Sequence, residues 1–121
     1  GNASNQSVLV FEGMTDFLSF LVMMELDVPP CDAIIMHSVN SYKRCVDFIR
    51  DKGYQQIHTF LDNDETGRKF DDRFKEDFGV KVISHSYQFG DYKDLNNALK
   101  NKASIQFFPN INSSFLNFDP S

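Results

Sequence analysis

The chain has 121 residues, 41% hydrophobic and 24% charged, enough for one domain whose core needs neither disulfides nor a structural metal. Its net charge of −5 argues against a free-standing nucleic-acid binder, whose grip on phosphate rests on clustered Lys and Arg; any such contact here is local or bridged by metal. Two cysteines, Cys31 and Cys45, form no CxxC pair, which excludes a zinc ribbon or a disulfide framework and leaves them as buried small hydrophobes.

No apolar run nears the ~20 residues of a membrane span and nothing at the start reads as a signal peptide, so a cytoplasmic location is expected. The polar opening "GNASNQ" and the closing "NINSSFLNFDPS" read as edges of a segment cut from a longer protein, with Gly1 as a cloning remnant. We therefore expect a disordered leader at 1–6, one folded domain at 7–102, and an extension or linker at 103–121.

Between those ends one pattern alternates. "SVLVFE" (7–12) is a short apolar run of strand type, and "TDFLSFLVMMEL" (15–26) follows with Phe17, Phe20, Leu21 and Met24 on one helical face. "AIIMHS" (33–38) repeats the strand signal. "SYKRCVDFIRDKG" (41–53) then puts Tyr42, Cys45, Val46 and Ile49 on one face, with Ser41 as the expected N-cap and Gly53 as the stop. "QIHTFLD" (56–62) is a third strand. The helix "TGRKFDDRFKEDFG" (66–79) carries Phe70, Phe74 and Phe78 at spacings of four. "VKVISHS" (80–86) is a fourth strand and "DLNNALKN" (94–101) a short last helix. Unbroken apolar strands, each followed by an amphipathic helix, predict a three-layer α/β/α sandwich around a parallel sheet of about four strands.

In such a sheet every strand delivers its C-terminal end to one edge, where ligands bind. Acids gather there. Glu12 closes the first strand, followed by Gly13, which leaves room for a phosphate or the backbone. Asp62 and Asp64 close the third, followed by Gly67. Alternate residues of an extended segment point the same way, so Asp62 and Asp64 are expected to share a cation with Glu12 facing them while Asn63 faces elsewhere. Three carboxylates suit Mg2+ or Mn2+. An EF-hand loop does not fit, because counting from Asp62 places Arg73 where a bidentate acid is needed. A receiver-type phosphoacceptor domain would want paired acids at the first strand and a lysine at a later strand end, and neither is evident. Each acid taken singly reads as well as a turn or cap residue.

Taken together, "VLVFEGMTDFLSF", "HTFLDNDETGRKF" and "DYKDLNNAL" resemble the three motifs of the Toprim domain of DnaG-type bacterial primases, type IA and II topoisomerases and some nucleases. Glu12, Gly13 and Asp16 match the first motif; Asp62, Asp64, Gly67, Arg68 and Lys69 match the second. The resemblance covers roughly residues 7–100 and is closest to primases and to primase-like Toprim proteins of mobile elements. The third motif departs from primases, whose acidic cluster is denser than Asp91 and Asp94.

The resemblance implies a Rossmann-like Toprim fold and metal-dependent nucleotidyl transfer, the synthesis of RNA primers in DNA replication. Strand cleavage of nuclease or topoisomerase type, or a degenerate binding module, is the alternative. Glu12, Asp62 and Asp64 would be catalytic; Glu12, Asp62, Asp64 and Asp94 would hold Mg2+ or Mn2+, Asp94 with an equal claim as a helix cap. Gly13, Asp16 and Gly67 would support them, and Asn40, Arg68 and Lys69 would contact phosphate or nucleic acid. Nucleic acid and nucleoside triphosphates would be met through a longer parent protein, with a replicative helicase as a further partner and no membrane; a fragment this small would be weak or inactive alone. The histidines His37, His58 and His85 lack metal-ligand spacing and are expected to satisfy local hydrogen bonds, and Tyr87, Phe89 and Tyr92 are the aromatics nearest the expected edge for stacking.

Overall fold

In the computed structural model, residues 6–101 are described; the expected leader, apart from Gln6, and the expected extension at 103–121 lie outside them. Four strands, β1 (Ser7–Phe11), β2 (Asp32–Ile35), β3 (Gln56–Phe60) and β4 (Val82–Ser84), alternate with four helices, α1 (Met14–Met23), α2 (Tyr42–Lys52), α3 (Glu65–Phe78) and α4 (Leu95–Lys100). The sheet is wholly parallel, in the order β2-β1-β3-β4.

Side-chain alternation along β1 builds two cores at once. Val8 and Val10 point to one face and meet Cys45, Val46, Ile49 and Phe74 of α2 and α3. Leu9 and Phe11 point to the other and meet Phe20 of α1 with Leu95 and Ala98 of α4. The register pairs Phe11 with Phe60, whose rings stack at 4.9 Å between centroids. All five residues of β1 are buried, as a central strand covered on both faces must be. Four of the five in β3 are too.

This topology fixes where chemistry can sit. The chain leaves β1 for β2 on one side, then crosses back past β1 to β3 on the other, so the strand order reverses between β1 and β3. A crevice opens at such a point beyond the strand C-termini. The strands end earlier than the apolar runs suggest: β1 stops at Phe11, before Glu12, and β3 at Phe60, before Asp62. Both acids lie just beyond the sheet, in turns, at that crevice. Gly53 ends α2 at φ 69°, as expected, whereas Ser41 precedes α2 without bonding its backbone. Among the described residues no helix is long and apolar enough to cross a membrane.

Candidate metal centre

Glu12 and Asp62 leave neighbouring strands side by side. The Asp62 backbone N–H donates to Glu12 Oε1 at 3.1 Å, fixing the Glu12 side chain across the end of the β1–β3 pair. Asp16 comes from the first turn of α1, 5% exposed, and its Oδ1 accepts the Asn96 N–H of α4 at 3.2 Å. Asp94 caps α4 by accepting the Asn97 N–H at 2.8 Å. One carboxylate oxygen from each of Asp16, Asp62 and Asp94 lies within 4.8 Å of the other two.

Asp64 is placed differently. Its Oδ1 accepts the Gly67 N–H at 2.8 Å as the N-cap of α3, and it stands beside Asp62 without joining the tightest acid set. β3 ends at Phe60, the backbone at Asp64 is extended at φ −138°, and its carboxylate turns to the first turn of α3. Asp64 still acts on the site through charge, since it raises the pKa values of both Glu12 and Asp62.

The electrostatics follow from crowding anions in partial burial. Burial first, then the charges of Glu12, Asp94 and Asp64, push the Asp62 carboxyl up to about 7. Burial, opposed by the Asn96 N–H and reinforced by Asp62 and Asp94, lifts Asp16 to about 6. Glu12 is raised as well, mainly by burial. No salt bridge relieves these acids among the described residues, where the ion pairs are Arg50–Asp77 and Lys69–Glu65. Asp62 Oδ1 is buried with no hydrogen-bond partner. A buried carboxylate oxygen without a donor is costly, and a hard divalent cation bound to oxygens removes that cost. The donor set, all carboxylate, fits Mg2+ or Mn2+.

Two neighbours hold the constellation. A Cβ on Gly67 would come within 2.0 Å of the Asp62 carbonyl oxygen, so only glycine lets α3 start this close to the strand end. Gly13 is not confined in this way, its nearest contacts being ordinary at 3.8 Å or more. The sequence turns Asn63 away from the shared cation and gives it no part of its own. Its Nδ2 lies 3.0 Å from each of the carbonyls of Ser86, Phe89 and Tyr92, and its N–H donates to Lys93 O at 2.6 Å. Asn63 thus latches the whole 86–93 connection to the end of β3 and carries Asp94 to Asp62. An Asn flanked by two acids is the one local signal that could have marked it.

With this geometry in hand, the profile of the family described as Toprim-like matches residues 9–99. The chain belongs to the Toprim-like family. Toprim domains are associated with divalent metal and with nucleotidyl transfer or strand cleavage. The Toprim-like fold is similar to that of the primase fragment of the bacteriophage T7 primase-helicase protein, with TM-score 0.61 and 24% identity. That match covers 80% of this chain and 39% of the other, so the chain spans about two-fifths of that fragment. It is also similar to a small TOPRIM domain protein from Bacillus stearothermophilus, with TM-score 0.57, 17% identity, and coverage of 84% and 89%. No curated protein matches the chain.

Around this Toprim acid cluster the other expected contacts disperse. Lys69 pairs with Glu65 one turn before it at 3.3 Å, both exposed. Arg68 is exposed and lines a groove with Lys75, Ser86 and Tyr87. Asn40 is exposed in the short turn of 3-10 type at Val39–Ser41. Of the three stacking candidates only Tyr87 is well exposed, at 73%; Phe89 is core at 1%, and Tyr92 packs against the α1–α4 face. His58 and His85 form a buried pair, Nδ1 to Nε2 at 3.0 Å, whose outer nitrogens meet Gln56 and Gln88.

Proposed function

We propose that this chain is the catalytic module of a DNA primase-like protein, a nucleotidyltransferase that uses Mg2+ or Mn2+ to make RNA primers during replication. The observation that carries the reading is the meeting of the Asp16, Asp62 and Asp94 carboxylates at the switch between β1 and β3, where Asp62 Oδ1 is buried without a partner. Retaining an uncompensated acid cluster in the fold has no stabilising purpose unless something positive fills it.

Asp62, Asp16 and Asp94 would hold the metal, with Asp64 and Glu12 adding negative charge at its side. A bound divalent ion would neutralise the triphosphate and orient the attacking 3′-hydroxyl. Glu12 has one oxygen committed to the Asp62 N–H, and its other oxygen is the group that would take the hydroxyl proton. Burial raises its pKa, the direction that a proton acceptor needs. Asn63 and Gly67 set the distances between the acids. The partners proposed for the intact protein are nucleic acid, nucleoside triphosphates and a replicative helicase, and the likeness in fold to a fragment of a primase-helicase supports the nucleic-acid and helicase setting.

The test is primer synthesis by the intact parent, lost on Asp62→Ala. A parent that nicks DNA and makes no primer replaces this reading with strand cleavage at the same acids.

A further inference from the structure

The outer side of α1 differs from those of the other two long helices. α2 turns Arg44, Asp47 and Arg50 to solvent and α3 turns Arg68, Asp72 and Glu76, as helices with one buried face do. The only charge in α1 is Asp16, which is buried in the acid set. Its outer side carries Met14, Leu18 and Val22, exposed by 47%, 51% and 61%. Residues four apart on a helix stand one above another, so these three form a single apolar stripe. A helix that is apolar all round is normally covered, and an apolar stripe left open marks a contact.

The fold sets a cover beside that stripe. α4 begins against the first turns of α1, where the Asn96 N–H donates to Asp16 Oδ1 at 3.2 Å and the Ser19 hydroxyl donates to Asn96 Oδ1 at 3.1 Å. The six residues of α4 advance the chain by only about 9 Å, so it leaves the helix still beside α1. Thr15 and Val22 lie within about 60° of Ser19 around α1, which starts the stripe at the seam between the two helices. Past that seam the sequence continues "KASIQFFPNINSSFLNFDPS" (102–121), in which Lys102 is the one charge before Asp119 and large apolar residues recur. Solvated linkers have the opposite composition. Ile105 and Phe107 stand four and six residues beyond Asn101, a reach of about 13–22 Å when extended, against about 10–12 Å for the width of a helix. They can therefore cross the outer side of α1. Tethering also favours this occupant over a second copy. Three half-exposed side chains fall well short of the ~800 Å2 per partner that a stable pair of chains buries, whereas a segment on a short tether meets its site at millimolar effective concentration.

We propose that the segment "SIQFF" (104–108) docks on the stripe of Met14, Leu18 and Val22, with Ile105 and Phe107, which share one side of an extended segment, set against it. The helix it covers is the one that brings Asp16 to the acid cluster, and the docking holds whichever reaction those acids serve.

The test uses the full chain, which has no tryptophan, with Phe107→Trp as its single fluorescent reporter. In the folded chain the emission should be blue-shifted, and acrylamide should quench it several-fold less than in urea. Adding Leu18→Glu should red-shift the emission and bring quenching to the level in urea, with the far-ultraviolet circular dichroism unchanged. Val22→Gln should shift the reporter the same way by less, and serves in its place where Leu18→Glu disturbs the circular dichroism. Val80→Glu, at a side chain 100% exposed before β4, should leave the reporter as it is. A reporter as red and as quenchable in the folded chain as in urea overturns the docking. So does blue emission that survives both Leu18→Glu and Val22→Gln, or a shift as large in Val80→Glu. Blue emission that fades on dilution, with sedimentation showing a dimer that Leu18→Glu dissociates, overturns it in favour of a second copy.

Discussion

Replacing Asp62 with Asn should stabilise the metal-free protein while abolishing its response to metal. Asp62 is pushed from 3.8 to about 7 by burial and by Glu12, Asp94 and Asp64. A carboxyl whose folded pKa is raised favours the fold in its protonated form, so its contribution is present at low pH and is lost as pH rises through about 7. At about 1.4 kcal/mol for each pH unit the displacement would come to about 4 kcal/mol in a sequestered group. Solvent still reaches this half-buried side chain and lowers the figure to about 1–2 kcal/mol. For a domain of this size that is a rise in Tm of about 5–10 °C at pH 8. Thermal unfolding followed by circular dichroism in EDTA should show Asp62→Asn melting above the parent at pH 8, with the gap closing toward pH 4. Adding Mn2+ should raise the parent and leave the variant where it was. An Asn variant that melts at or below the parent at pH 8, or a gap that ignores pH, refutes the electrostatic reasoning.

Further outcomes follow from the supports of the site. Gly67→Ala drives a Cβ to 2.0 Å from the Asp62 carbonyl, so chemical denaturation should report a loss of about 3 kcal/mol and calorimetry a loss of Mn2+ binding. Asn63→Ala removes the latch on three carbonyls and should cost about 1–3 kcal/mol; hydrogen exchange should speed up in 86–93 and not in β1. His58 and His85, buried and lowered to about 3 and about 4, contribute stability above 6.5 that is lost as pH falls through those values. A His58→Gln/His85→Gln double variant compared with the unsubstituted chain cancels the carboxylates common to both: the difference in urea midpoint should move steadily in the variant's favour from about pH 6.5 to 4, and a difference that ignores pH would count against a neutral buried pair.

Much of the fold is legible because burial period and chemistry agree. In β1 each residue is apolar or small, and in α2 and α3 the spaced Tyr42, Cys45, Ile49, Phe70 and Phe74 are the core. Glu12 and Asp62 are legible as an edge pair because parallel strands must end together. From the sequence, Asp16 reads as a support and Asp94 equally as cap or ligand. Whether a helix's first turn and a cap reach the same point depends on the packing of α1 against α4, where Asp16 accepts the Asn96 N–H, and no local spacing encodes that. Asp94 caps α4 through one oxygen on the Asn97 N–H while its carboxylate lies within reach of Asp62. The part played by Asn63 is not legible, because its side-chain partners lie 23 to 29 residues away. The His58–His85 pair depends on strand register, which sets Thr59 against Ser84 and is silent in the sequence.

The most direct measurement is a Mn2+ soak of crystals of this chain, with anomalous density sought among Asp16, Asp62 and Asp94. The account predicts a peak bonded to Asp62 Oδ1 that vanishes in Asp62→Asn. Well-ordered carboxylates with no peak at millimolar Mn2+, or a peak that persists in the variant, would contradict it.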